Sequence, residues 1–151
     1  MAETKEIVIN RILGNFDQGF ACSQSILLGF ADSFELDEKT AKLISSTFGG
    51  GMGRLRRTCG ALTGAYMVLG LKYGNELPTD LDTKLNSYKK VRELTAQFED
   101  VFATSNCKDI LMQHASNEQI LERKHHKIIC REVVGQVAEL LYDMIHEESI
   151  A

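Results

Sequence analysis

No two cysteines of this chain form a Cys-x-x-Cys pair, and only one proline, Pro78, occurs in 151 residues. Nor is there an apolar run of the roughly 18 residues that a spanning helix needs. The first absence removes the spacing signature of a zinc finger. The last argues against a transmembrane helix. A charged-then-apolar leader with a small-residue cleavage site is also missing, so a cytoplasmic protein is expected. In that compartment thiols are kept reduced, and lasting structural disulfides are not expected. There is no basic excess either. The net charge is −4, with acids and bases interspersed, which argues against nonspecific nucleic-acid binding and a basic membrane-surface helix. No stretch alternates as a strand, and no linker, repeat or low-complexity segment interrupts the chain.

What is present is helical spacing almost throughout. A chain of this length buries roughly 70% of its unfolded surface. It therefore needs neither disulfide nor metal for a core, and the expectation is one domain over 1–151. Ile7, Val8, Ile12, Leu13 and Phe16 mark a first helix, with a stop signal at Gly14-Asn15. A second runs from about Ala21 to Asp32, with Ile26, Leu27 and Phe30 inward. Asp37 is placed to cap a third, through Leu43 and Ile44. A fourth begins near Thr58 and reaches Gly74. Its Gly60, Gly64 and Ala65 lie on one side, which predicts a tight helix crossing. After the Pro78 loop, a long helix from Leu81 to about Ala103 carries a stripe of Leu85, Tyr88, Val91, Leu94, Phe98, Val101 and Phe102. Cys107 opens a short helix to about Gln113, and Ser116 resembles the start of a capping box. Ile128, Ile129, Val133, Val137, Leu140, Leu141 and Ile145 mark the last helix. The fold class is all-α, a bundle of six or seven helices.

Against this background the four cysteines need explaining. Cys22, Cys59 and Cys107 each fall near a predicted helix start, and Cys130 lies inside the last helix. A helix start favours the thiolate, unless the sulfur is buried among apolar groups. The bland alternative is four inert core residues. Cys59 follows Arg54, Arg56 and Arg57, which can stabilise its thiolate, hold an anion or simply form a solvated loop. Arg57 is nearest in sequence. Gly49-Gly-Gly-Met-Gly53 is no phosphate loop, because no strand precedes it and no Lys-Ser/Thr follows. It suits a sharp turn packed against the thiol site, with a backbone anion nest as the other reading. On a helix, His126 shares a face with Cys130, as two metal ligands would. Lys124 and Lys127 beside it read instead as a polar surface. His114 and His146 support no claim, and Tyr66, Met67 and Tyr73 read as packing groups.

The four cysteines, with Cys59-Gly-Ala-Leu-Thr-Gly64 behind Phe48-Gly-Gly-Gly-Met-Gly53, resemble the redox-active C_GCAxxG_C_C family of bacteria and archaea. The central motif reads Cys before Gly here, whereas the family label writes Gly before Cys; the match rests on the whole pattern, from about Phe20 to Cys130 and beyond. The resemblance implies Cys22, Cys59, Cys107 and Cys130 as the functional set. Family members with selenocysteine imply that such a position does redox chemistry.

The leading expectation is thus a thiol-redox protein, a thiol-based oxidoreductase that requires no cofactor. Cys59 is the nucleophile, Cys22 or Cys107 resolves the adduct, and Cys130 is a third partner or a buried support. The alternative is a metal-binding module in which Cys22, Cys59, Cys107 and Cys130 hold zinc or an iron–sulfur cluster. A structural bundle with incidental thiols comes third. The partner is an unidentified electron donor or a small-molecule or protein thiol. Helical surfaces of this kind often form homodimers, but nothing in the sequence marks the face.

Overall fold

The computed structural model describes residues 3–113 and 123–147. Seven helices account for most of them: α1 (Lys5–Asp17), α2 (Cys22–Ala31), α3 (Glu38–Ser45), α4 (Gly60–Tyr73), α5 (Leu81–Phe102), α6 (Cys107–Gln113) and α7 (Arg123–Glu147). The all-α expectation holds. Among the described residues the only strand-like pairing is a single antiparallel bridge, Thr58 with Asn106. No helix among them is long and apolar enough to cross a membrane. The expected capping box at Ser116 and the helix-end residue His114 lie outside the described residues.

α2 and α4 form the centre. A helix apolar on every side must be covered on every side, and the first six residues of α4, Gly60 to Ala65, are all buried. The crossing of the two helices is as close as their small residues allow. A Cβ on Gly64 would stand 2.7 Å from the Ser23 carbonyl oxygen and 3.0 Å from its Cα. Around this pair, α1 packs on α2 and α7, α3 on α2, and α5 on α4 and α7. Leu27, Leu62, Leu69, Leu94, Phe98 and Leu141 are fully enclosed, and each such side chain stabilises the fold by about 1.5–3 kcal/mol.

Caps set several helix starts. Thr4 Oγ1 accepts from the Ile7 amide, Asp37 from Thr40 as expected, and Asp80 from Thr83. Two expectations need correction. α1 does not stop at Gly14-Asn15 but continues to Asp17. The buried Asn15 donates its side-chain amide to the Ser25 carbonyl at 3.3 Å, so packing against α2 overrides a local stop signal. In α5, the stripe is buried only at part of its second half, where Val101 is half exposed. Leu94, Phe98 and Phe102 are enclosed, whereas Leu85 and Tyr88 are at least half exposed. Leu43, Ile44 and Ile128 also face outward.

Candidate functional site

The site is built where the starts of α2, α4 and α6 meet the side of α7. Cys22 is the first residue of α2, Cys59 the N-cap of α4 and Cys107 the first residue of α6. All four cysteines are free thiols. The Thr58–Asn106 bridge joins two of these helix starts. The Cys59 amide donates to the Ser105 carbonyl at 2.9 Å, and the Cys107 amide donates to the Arg57 carbonyl at 2.6 Å. Cys59 and Cys107 therefore flank one bridge, and both are buried, 6% and 8% exposed. Cys22 and Cys130 keep partial exposure. Next to Cys130 along α7, Arg131 pairs with Asp17 at the end of α1 through two bonds of 2.9 and 3.1 Å, which ties this part of α7 to α1.

The glycine stretch packs against Cys107. Gly50 (φ 69, ψ 25) and Gly51 (φ 71, ψ 55) are left-handed, and so are Met52, Gly53, Arg54 and Arg56. The result is a left-handed turn, closed by Arg56 N–H to Gly50 C=O (3.3 Å) and Arg57 N–H to Gly51 C=O (2.9 Å). Glycine enters this region freely. For Met52, Arg54 and Arg56 it costs about 1–2 kcal/mol each. Such strain persists only where the surroundings enforce it, and it gathers at functional sites. Gly51 has no room for a side chain, since a Cβ there would lie 2.6 Å from Cys107 Cβ and 2.8 Å from the Arg57 nitrogen. The turn delivers the half-buried Arg56, whose guanidinium donates to Cys107 Sγ at 3.6 Å. Arg57, the cation expected to serve Cys59, points to solvent. Sequence proximity did not predict geometry in a turn of reversed hand.

The four sulfurs differ in acidity, and not as helix position alone predicts. Burial pushes the Cys59 thiol up to about 12, although the Ala61 and Leu62 amides at the helix start pull the other way. Burial also raises Cys107, against the pull of Arg56. Cys22 lies well above the ordinary range, first because its thiol donates a hydrogen bond to Cys130, then because it is desolvated. Cys130 alone is lowered. It accepts that hydrogen bond, and the Arg56 charge adds to the effect. The three thiols at helix starts are thus the reluctant acids, Cys59 and Cys107 because desolvation outweighs the helix ends, and Cys22 first because of Cys130.

Cys22 and Cys130 open onto a cleft of about 1140 Å³. His126 lines it on the same helix as Cys130. Among the described residues, no group of three or more His, Cys, Asp or Glu side chains is arranged to hold a metal ion. Lys108, which the sequence did not single out, and Lys127, expected only as part of a polar surface, also line it. The available signal was position: Lys108 follows Cys107, and Lys127 precedes Cys130 by three residues, on the same helix side.

A helical bundle with interacting thiols at a cleft is the class this architecture defines. The chain belongs to the family described as "Putative redox-active protein (C_GCAxxG_C_C)", which matches residues 20–144. No curated protein and no solved structure matches it.

Proposed function

We propose that the protein is a dithiol–disulfide exchanger in which Cys130 attacks and Cys22 resolves. The observation that carries this reading is that Cys22 and Cys130 line one cleft together with Arg56, where Cys22 and the Arg56 charge make Cys130 the more acidic thiol of the two. The thiolate is the attacking form. In the first step, Cys130 sulfur bonds to one sulfur of a substrate disulfide, and the other sulfur leaves as a thiolate. Cys130 is then neutral, and the negative neighbour that kept Cys22 protonated is gone. Cys22 next gives its proton to the thiolate released in the first step and attacks Cys130 sulfur, which releases the second substrate thiolate. Two electrons pass from the protein dithiol to the substrate disulfide, and the protein is left with a Cys22–Cys130 disulfide. A dithiol or low-molecular-weight thiol reverses the change. The chemistry needs no cofactor.

This moves the nucleophile from Cys59, the residue favoured on sequence, to Cys130. Cys59 and Cys107 form a second, sheltered set, suited to supporting the site or to accepting a disulfide passed inward. Alkylation of the native reduced protein over a pH series, with the label located by mass, tests the assignment. Cys130 should react first and at the lowest pH, and Cys59 last. Cys59 reacting ahead of Cys130 reverses the proposal. Metal analysis of anaerobically purified protein decides the zinc or iron–sulfur alternative: a stoichiometric metal, lost when any one cysteine is replaced, favours the module over the exchanger.

A further inference from the structure

The cleft beside Cys22 and Cys130 is one-sided in charge. Arg54, Arg56, Lys108, His126 and Lys127 line it, and among the described residues no acidic side chain does. In a chain of net charge −4, an all-basic lining runs against the average of the surface. Lys108 and Lys127 are exposed, and no ion pair engages Arg54, Lys108 or Lys127 among the described residues. Phe16, Phe20 and Leu111 add an apolar wall. The space is concave and slightly larger than the roughly 300–1,000 Å³ usual for small-ligand sites.

We propose that this cleft selects a small anionic disulfide, one carrying two or more carboxylates, and presents it to Cys130. The proposal rests on the reading of Cys22 and Cys130 as the reactive pair. The cations attract the carboxylates before any bond changes, and a cleft lined by one sign of charge raises association rates by about 10–10³-fold. They also stabilise each thiolate as it leaves, since every departing half carries its own carboxylate and a new negative sulfur. The apolar wall accommodates the uncharged part of the chain around the sulfur–sulfur bond. A cationic disulfide meets the same cations as repulsion.

The test uses the full-length reduced protein and three small disulfides at low salt: oxidised glutathione (anionic), hydroxyethyl disulfide (neutral) and cystamine (cationic). Formation of the Cys22–Cys130 bond is followed by quenching and mass mapping. Each rate is divided by that of the same disulfide with free dithiothreitol, which corrects for leaving-group acidity. We expect the corrected rate for the anionic disulfide to exceed that for the cationic one by at least about tenfold, with the gap closing as salt is added. The double substitution Lys108→Gln, Lys127→Gln should shrink the ratio towards one. Lys89→Gln, on α5 and paired with Glu93, should leave it as it was. A cationic disulfide that matches the anionic one overturns the selection and leaves the Cys22–Cys130 exchanger standing, as does an unchanged ratio in the double variant. Absence of a Cys22–Cys130 bond with all three overturns both.

Discussion

Cys59 and Cys130 carry the same side chain in opposed surroundings. Cys59 sits at a helix N-terminus, with amides aimed to favour a negative charge, yet it is enclosed and its thiol is pushed up to about 12. Cys130 lies mid-helix, with no such end effect, and is the only one of the four whose acidity rises. The contrast shows which influence wins. A helix end is worth about 0.3–1 kcal/mol on an exposed charge, whereas full burial shifts acid groups by as much as 3–5 pKa units. A thiol partner and a cation reach Cys130 without enclosing it fully. The inner pair is shaped by packing, and the outer pair by its neighbours' charges and protons.

Replacing the outer sulfurs should have the largest effect. With Cys130→Ser, disulfide reduction should fall to background, and with Cys22→Ser the mixed disulfide on Cys130 should accumulate, visible as a mass increase. Cys59→Ser should instead keep the first step and lower stability, because a larger, apolar sulfur is lost from an enclosed position.

Alkaline pH should expose the inner thiol next. Below about 9 Cys59 is protonated whether the chain is folded or not. As pH climbs towards 12, the unfolded chain gives up this proton and the folded one retains it. The native state then binds more protons than the unfolded state, so stability falls with rising pH, by at most about 1.4 kcal/mol per pH unit from this group. Denaturant titrations at several pH values should show the fall, and Cys59→Ala should make it shallower, leaving the part that Cys22 and Cys107 contribute with the same sign.

Packing of the turn against the inner pair can be broken separately. Gly51→Ala forces a Cβ towards Cys107 and places a side chain at positive φ. We expect a loss of about 2–4 kcal/mol in denaturant unfolding, together with faster alkylation of Cys107. Arg56→Gln sharpens the comparison from the other side. Each unit by which Cys130 becomes less acidic removes about tenfold of its thiolate near neutral pH. The stronger nucleophile recovers about threefold, so alkylation of Cys130 should slow by about threefold per unit. The smallest effect belongs to Met52→Gly. Relief of left-handed strain and the added freedom of glycine oppose each other, and a gain under about 1 kcal/mol is expected.

Much of this arrangement was legible in the chain. Gly60, Gly64 and Ala65 on one side announced a tight crossing, though not that α2 is the partner, Asp37 announced the cap of α3, and Cys107 the start of α6, because each is a local rule that packing happened to endorse. Local rules failed where distant residues decide. Gly14-Asn15 reads as a stop until Ser25 offers Asn15 a partner. Leu85 and Tyr88 continue an apolar stripe that no neighbouring helix covers. The pairing of Cys22 with Cys130 joins residues from α2 and α7, and no spacing rule relates them. Arg56 rather than Arg57 reaches a sulfur only because the backbone before it runs left-handed, which a glycine-rich sequence permits but does not announce.

The most direct measurement is the first bond formed. Reduced protein treated with one equivalent of a small disulfide, quenched with acid and mapped by mass, should contain a Cys22–Cys130 link, with Cys59 and Cys107 still free to be alkylated after unfolding. A first link that includes Cys59, with Cys130 left as a thiol, would contradict the division into a reactive outer pair and a sheltered inner one.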